Sequence, residues 1–186
     1  MLEDDRAGLT VDRADEEDDR ATCAALVSSS PRDHPAPPGY RPVMPKTTKS
    51  GDAKQDEIPS TLQRSDEKAQ RTWAKTHDSA VETYDGDEQR ATRVAWAAVK
   101  HTHEKVGDHW EEKEGGRKGP SDAQAAGGAD TNRETKGGVD ANATKEHLMD
   151  VAKRLDVHGR SSMTKDELVD AIQKANDRET RQAREG

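Results

Sequence analysis

Phenylalanine is absent from this 186-residue chain, tryptophan and tyrosine number three and two, and cysteine occurs once, at Cys23. A lone cysteine excludes an internal disulfide and fits a reducing compartment. Apolar residues make up 29% of the chain against 37% charged, a balance close to that of chains that do not fold. A single globule of full length is therefore not expected. One or two small, marginally stable modules joined by solvated segments are. No window approaches the roughly 20 apolar residues of a membrane-spanning helix, and the opening MLEDDRAGLT has neither the basic head nor the apolar run of a signal peptide. A soluble cytoplasmic protein is the expectation.

An excess of positive charge is missing as well. The formal net charge is -8. Residues 1–43 carry ten carboxylates against five cations, residues 56–113 thirteen against nine, and residues 144–186 nine against nine. No segment is strongly basic, which disfavours tight nonspecific binding to nucleic acid or to an anionic membrane surface.

Reactive motifs are missing too. No nucleophile motif, phosphate-binding glycine loop or zinc spacing occurs, so neither catalytic residues nor a cofactor nor a metal site is assigned, and an enzyme is not expected. His101 and His103 are two apart and diverge on a helix. His77 and His109 read as packing or boundary residues. Asp85, Asp87 and Glu88 crowd one turn, and Asp108, Glu111 and Glu112 another. They lack the alternating ligands and terminal glutamate of a calcium loop. Helix capping and solubility are the main reading, with a divalent-cation sensor as a weak third option.

What is present falls into blocks. Residues 1–43 read as a disordered acidic and proline-rich tail, with ADEEDDR repelling itself and PRDHPAPPGYRP favouring extended backbone. MPKTTKSGDAK, from Met44, looks like a fresh start of translation. In residues 56–113, Ile58 precedes Pro59 and is biased to an extended backbone. Ser65 is placed to cap a helix that begins with Asp66 and Glu67. Ala69, Trp73, Ala80, Val81 and Tyr84 recur along it near one or two turns, with His77 on the same stripe. YDGDE is its stop, Gly86 ending it and Asp87 capping the next helix.

That second helix is expected over about 88–105. Its broad face holds Ala91, Val94, Ala95, Ala98, Val99 and Thr102, small residues that permit close approach of a neighbour. Trp96 points off this stripe and needs its own cover, either the preceding segment or VGDHW. Gly107 breaks the pattern, and Trp110 returns as a strand residue or, if exposed, as a partner anchor.

Residues 115–143 hold three Gly-Gly pairs, of which GGAD and GGVD form a loose ten-residue echo, and no covering hydrophobic set, the marks of a flexible linker. From 144 to 175 a helix–loop–helix is expected. Thr144 caps its first helix, whose apolar face is Leu148, Val151, Ala152 and Leu155. Thr164 and Glu167 form a capping box for the second, with Leu168, Val169 and Ile172 as its apolar face, and Val157 and Met163 plugging the space between. Residues 176–186 are polar enough to fray. Lys153, Arg154, Arg160 and Lys165 lie at or near the loop and are candidate contacts for DNA or RNA, beside the backbone amides of the Thr164 helix terminus; Asp156, Asp166, Glu167 and Asp170 oppose this.

IPSTL, the Trp73 helix and ATRVAWAAVKHTHEKVGDHW resemble the ChaB family, named for cation transport regulators, over about residues 44–114. The resemblance implies a small, mainly helical domain with a minor strand pair near its ends. That pair would bring Ile58 near Trp110, and the helices would bury Trp73, Val94, Trp96 and Val99. It also implies regulation of a sodium– or calcium–proton antiporter. LMDVAKRLDVHGRSSMTKDELVDAIQKA is similar to the N-terminal domain of Rho termination factor, a helix–loop–helix related in shape to SAP modules, which often bind nucleic acid. The chain is thus expected to be mainly α-helical and non-enzymatic, an adaptor regulating cation transport through protein contacts, with a nucleic-acid accessory role as the alternative. Leu148, Leu155, Leu168 and Ile172 are the expected core of its terminal module.

Overall fold

The computed structural model describes residues 44–186. The tail expected over 1–43 lies outside them. The described part is mainly α-helical, with one small β-hairpin and a C-terminal helix–loop–helix. In chain order it contains α1 (Ser60–Gln63), α2 (Glu67–Thr83), α3 (Glu88–Thr102), β1 (His103–Val106), β2 (His109–Glu112), α4 (Lys145–Arg154) and α5 (Lys165–Glu185).

Local chemistry sets the helix starts. Asp66, not Ser65, caps α2: its Oδ1 accepts from the Ala69 amide at 2.7 Å. The Ser65 hydroxyl donates to the Thr61 carbonyl at 2.7 Å and accepts the Trp110 amide at 2.8 Å. Asp87 caps α3 through the Arg90 amide at 3.0 Å, and Thr144 caps α4 through the His147 amide at 3.2 Å. At α5 the capping box is complete, since Glu167 accepts the Thr164 amide at 2.7 Å while Thr164 accepts the Glu167 amide at 3.3 Å. Asp85 and Gly86 take positive φ after α2, and the Gly86 amide reaches back to the Val81 carbonyl at 2.9 Å, which is a helix stop of the expected kind.

Two apolar clusters form the interior. The first joins Ile58, Leu62, Ala69, Trp73, Ala74, Ala95, Val99 and Trp110, with Trp96 packed against it. The alanines let α2 and α3 approach closely, and the tryptophans fill the space that remains. The second joins Val106, Val139 and Ala143 to Leu148, Val151, Ala152, Leu155, Leu168, Val169, Ile172 and Ala175. Leu148, Leu168 and Ile172 are fully buried, each contributing roughly 1.5–3 kcal/mol of hydrophobic stabilisation. Val94 differs from expectation. It is only half-buried and lines a shallow groove with Ala80 and Tyr84 between α2 and α3.

The strand pair also differs in place. It is a hairpin, with His103 opposite Glu112 and Lys105 opposite Trp110, and Ile58 is not part of it. Helix α3 therefore stops at Thr102 rather than near 105. All four β1 residues are buried, because alternate side chains turn to opposite covers. His103 and its opposite Glu112 face α2: the His103 Nε2 lies 3.5 Å from Asp66, and Glu112 accepts from Lys68 at 2.6 Å. Glu104 and Glu111 face α4, paired with His147 at 2.6 Å and Arg154 at 2.7 Å. Val106 enters the second cluster.

Residues 115–143, expected to be slack, are irregular but anchored. Ser121, Asp122, Gly138, Val139, Asp140 and Ala143 are buried, and the Gly138 carbonyl accepts the Lys105 amide at 2.9 Å. The two glycine-containing echoes behave differently. GGAD holds the surface of α3, with Asp130 on Arg90 at 2.8 Å, whereas GGVD enters the interior. The expected fray after Ala175 is instead continuous helix to Glu185. Asn176 explains the first part of it: its Oδ1 accepts the Gly107 amide at 2.6 Å and its Nδ2 donates to the Lys105 carbonyl at 2.8 Å. One turn on, Thr180 donates to the Gly107 carbonyl at 3.3 Å.

Candidate functional site

Chemistry gathers around the tryptophans. Trp96 stacks on Trp110 at 5.1 Å with an interplanar angle of 27°, and meets Trp73 edge-on at 6.0 Å. VGDHW thus supplies the cover that Trp96 needed. Trp110 is 4% exposed, and its Nε1 donates to Thr61 at 3.3 Å. It is a core residue, and its burial leaves no projecting ring for the anchor role that an exposed Trp110 would have.

The half-buried Trp96 and the edge of Trp110 line a cleft of about 680 Å³, a volume within the range of small-molecule sites. One wall comes from α1, α3 and the hairpin. The other comes from residues 124–137 and the last turns of α5. Six cations line it, Arg93, Lys100, Lys105, Arg133, Arg181 and Arg184, against one carboxylate, Asp177.

The buried members of this set are held in place. Lys100 is 5% exposed, and its ammonium donates to Asp122 at 3.0 Å, Gln124 at 2.8 Å and Thr135 at 2.8 Å. All three donors are satisfied, the condition under which a buried charge is tolerated. Burial by itself raises the Asp122 pKa, but the Ala125 and Lys136 amides and the Lys100 ammonium outweigh it and hold the carboxyl below its ordinary range. Lys105 has a looser partner, Asp177 at 4.0 Å, and burial lowers its pKa. Arg93 donates to the Ala129 carbonyl at 2.9 Å. Arg133, Arg181 and Arg184 are exposed, and the ion pairs among the described residues include none of them.

The residues singled out in the sequence fall elsewhere. Lys153, Arg154, Arg160 and Lys165 sit along the end of α4 and the loop to α5. Arg154 is engaged by Glu111 at 2.7 Å, and Arg160 donates to the Val157 carbonyl at 3.1 Å. Lys153 and Lys165 have no ion pair among the described residues. The crowded carboxylates are mostly engaged too: Asp108 by Arg64 at 2.6 Å, Glu111 by Arg154, Glu112 by Lys68, and Asp87 as a cap. Among the described residues no three His, Cys, Asp or Glu side chains converge as a metal site would need. His101 is exposed and His103 buried, the latter on a strand, so the pair diverges for a reason other than helical spacing. His77 stacks on Trp73 at 5.0 Å.

The cleft itself escaped the sequence reading. Its parts lie as far apart in the chain as Pro59 and Arg184, and no local pattern joins Trp96 to Arg133 or Arg181. The one available signal was that Trp96 lay off its helix's apolar stripe. No curated protein and no solved structure matches the chain. Residues 58–113 match the ChaB family model, so the segment carrying α1 to β2, the tryptophans and one wall of the cleft is a ChaB-like helical domain.

Proposed function

We propose that this chain is a non-enzymatic regulatory protein whose ChaB-like domain acts on cation transport through contact with a protein partner. The match of residues 58–113 to the ChaB family carries this reading, and a sodium– or calcium–proton antiporter is the partner class that the family's name indicates. The side-chain arrangement supports binding rather than chemistry, since the carboxylates of the hairpin are engaged by Arg64, Lys68 and Arg154. Among the described residues no helix is long and apolar enough to cross a membrane, and contact through a surface is the mode that fits.

The test is sodium–proton and calcium–proton exchange in membrane vesicles from the native cells, with and without the added full chain, alongside crosslinking in those cells. A changed exchange rate and a nuclease-resistant crosslink to an antiporter are expected. Unaltered exchange in both assays, with no antiporter recovered, rejects the proposal.

A second reading, contact with DNA or RNA through residues 144–175, draws support from Lys153 and Lys165, which no carboxylate of the described residues engages. It predicts binding that weakens steeply with salt and a crosslink that nuclease abolishes. Replacing both lysines by glutamate would then remove the binding; retention of full affinity counts against it.

A further inference from the structure

The cleft beside Trp96 has no role in either reading, and its composition is unusual for this chain. The protein is acidic overall, at -8, yet the cleft presents six cations and one carboxylate. Lys100 is neutralised locally by Asp122, and Lys105 lies near Asp177. That leaves Arg93, with a single bond to a neutral carbonyl, and the exposed Arg133, Arg181 and Arg184 facing one space without a carboxylate partner among the described residues. Such a concentration of like charge raises the local potential and favours a multiply charged anion. Guanidinium groups suit phosphate oxygens in particular, because their planar donors match the oxyanion geometry.

The other half of the surface is aromatic. The part of Trp96 left uncovered by Trp110 and Trp73 lines the same cleft, as do Pro59 and the edge of Trp110. A planar ring is the natural partner for the uncovered part of an indole that its neighbours hold in place. Further hydrogen-bonding groups line the space, namely the Gln124 amide nitrogen, Thr131 and Asn132, and a volume of about 680 Å³ accommodates a ring, a sugar and phosphates together. A bare phosphate would leave the indole unused. An apolar ligand would leave the arginines unpaired.

We propose that this cleft binds a nucleoside polyphosphate, its base against Trp96 and its phosphates among Arg133, Arg181 and Arg184. The site lies partly outside the ChaB-like segment, because residues 124–137 and the end of α5 form its second wall. The proposal does not rest on the transport reading. It adds a ligand that would tie the ChaB-like domain more firmly to the C-terminal half, since both halves would hold it.

The test is calorimetry and tryptophan emission on the full chain, with ATP, adenosine, inorganic tripolyphosphate and a short oligouridylate as probes. ATP is expected to bind and to quench emission. Adenosine and tripolyphosphate, each carrying only one of the two recognised features, should bind at least about tenfold more weakly, as expected when a charged hydrogen-bonding set or a stacking surface is left unused. Arg181→Glu with Arg184→Glu changes only exposed positions of α5, so an unchanged thermal midpoint is expected, and it should weaken ATP by about a hundredfold or more. Trp96→Leu should abolish the preference for ATP over tripolyphosphate, a ratio that is meaningful at any affinity the variant retains. Equal binding of ATP and tripolyphosphate by the unaltered chain would reduce the cleft to a patch of positive charge and overturn the proposal. So would absence of ATP binding, or binding of the oligouridylate alone, the latter marking a single-strand groove instead.

Discussion

The cluster around the tryptophans and the cluster around the leucines answer the same shortage of apolar residues in different ways. In the first, two helices meet through Ala69, Ala74, Ala95 and Val99, and large rings fill what the small residues leave. In the second, Leu148, Leu168 and Ile172 fill the space directly, and the segment before α4 adds Val139 and Ala143. The first is local, closing within residues 58–110. The second reaches from Val106 to Ala175. Strand β1 belongs to both, presenting His103 and Lys105 to one side and Glu104 and Val106 to the other. A hairpin of eight strand residues can thus join two weak modules when its faces alternate, and residues 44–186 accordingly form one compact unit.

The sharpest way to break this picture is to damage each cluster and ask whether the other notices. All three tryptophans lie in or against the first cluster, so their emission follows its unfolding. Trp73→Ala should cost about 3–5 kcal/mol and Leu168→Ala about 2–5 kcal/mol. If the hairpin makes the clusters cooperative, Leu168→Ala lowers the urea midpoint seen by tryptophan emission as much as the midpoint seen by far-ultraviolet dichroism. A tryptophan transition unmoved by Leu168→Ala would show that the modules unfold independently, as the sequence alone led one to expect.

Asn176 sits at the seam and tests it with a smaller perturbation. Asn176→Ala strands the buried Gly107 amide and Lys105 carbonyl, at about 1–3 kcal/mol for each group. The loss should appear as faster amide exchange at Gly107 and along α5 after Ala175, with less change in α2. Uniform loss of protection would mean the side chain supports the whole fold rather than the junction.

Gly138 probes the segment that looked like a linker. Its φ is +97°, and a Cβ there would fall 2.5 Å from the Trp110 ring and 2.9 Å from the Lys105 Cβ. Gly138→Ala should cost about 1–3 kcal/mol and alter Trp110 emission. Gly128→Ala, with positive φ but nothing within 4 Å of the added atom, should cost less and leave emission alone. Equal effects would assign the loss at Gly138 to backbone strain alone.

These positions also mark where the sequence was legible. Helix starts were, because an Asp or Thr before a periodic run has a local partner in the same turn: Asp87, Thr144 and the Thr164–Glu167 pair all do what their spacing demands. The apolar face of the terminal helices was too, since a 3.6-residue period needs no knowledge of what it packs against. The end of α3 was not legible, because HTHEKV carries no breaker before Gly107 and its strand is imposed by cover on both sides. Irregular backbone has no period at all. Ser121, Asp122 and Val139 therefore looked like ordinary linker residues until Lys100, β1 and the leucine cluster gave them partners. Polar side chains that satisfy backbone groups elsewhere, such as Asn176 and Thr180, are invisible for the same reason, and so is a cleft assembled from distant segments.

The smallest expected difference between the clusters is in acid. The first contains His77 at 2% and His103 at 0% exposure, and burial lowers the pKa of both. The unfolded chain takes up protons at these two sites near pH 6.5, where the folded chain does not. Proton uptake by the unfolded state alone makes stability rise with pH, so the contribution is complete above about pH 6.5 and is lost as the pH falls from there toward the lowered folded values. Glu104 works the other way. Burial raises its pKa, so its contribution is complete below the ordinary carboxylate range and is lost as the pH rises through the raised value. Most of the other shifted carboxylates, such as Asp122 and Glu167, are held below their ordinary range and act at lower pH. Urea midpoints between pH 7.5 and 5.5 should therefore fall. His77→Gln with His103→Gln should flatten the slope. Their midpoint at pH 7.5 serves only as the reference, and a slope as steep as in the unaltered chain would move the acid sensitivity away from the tryptophan cluster.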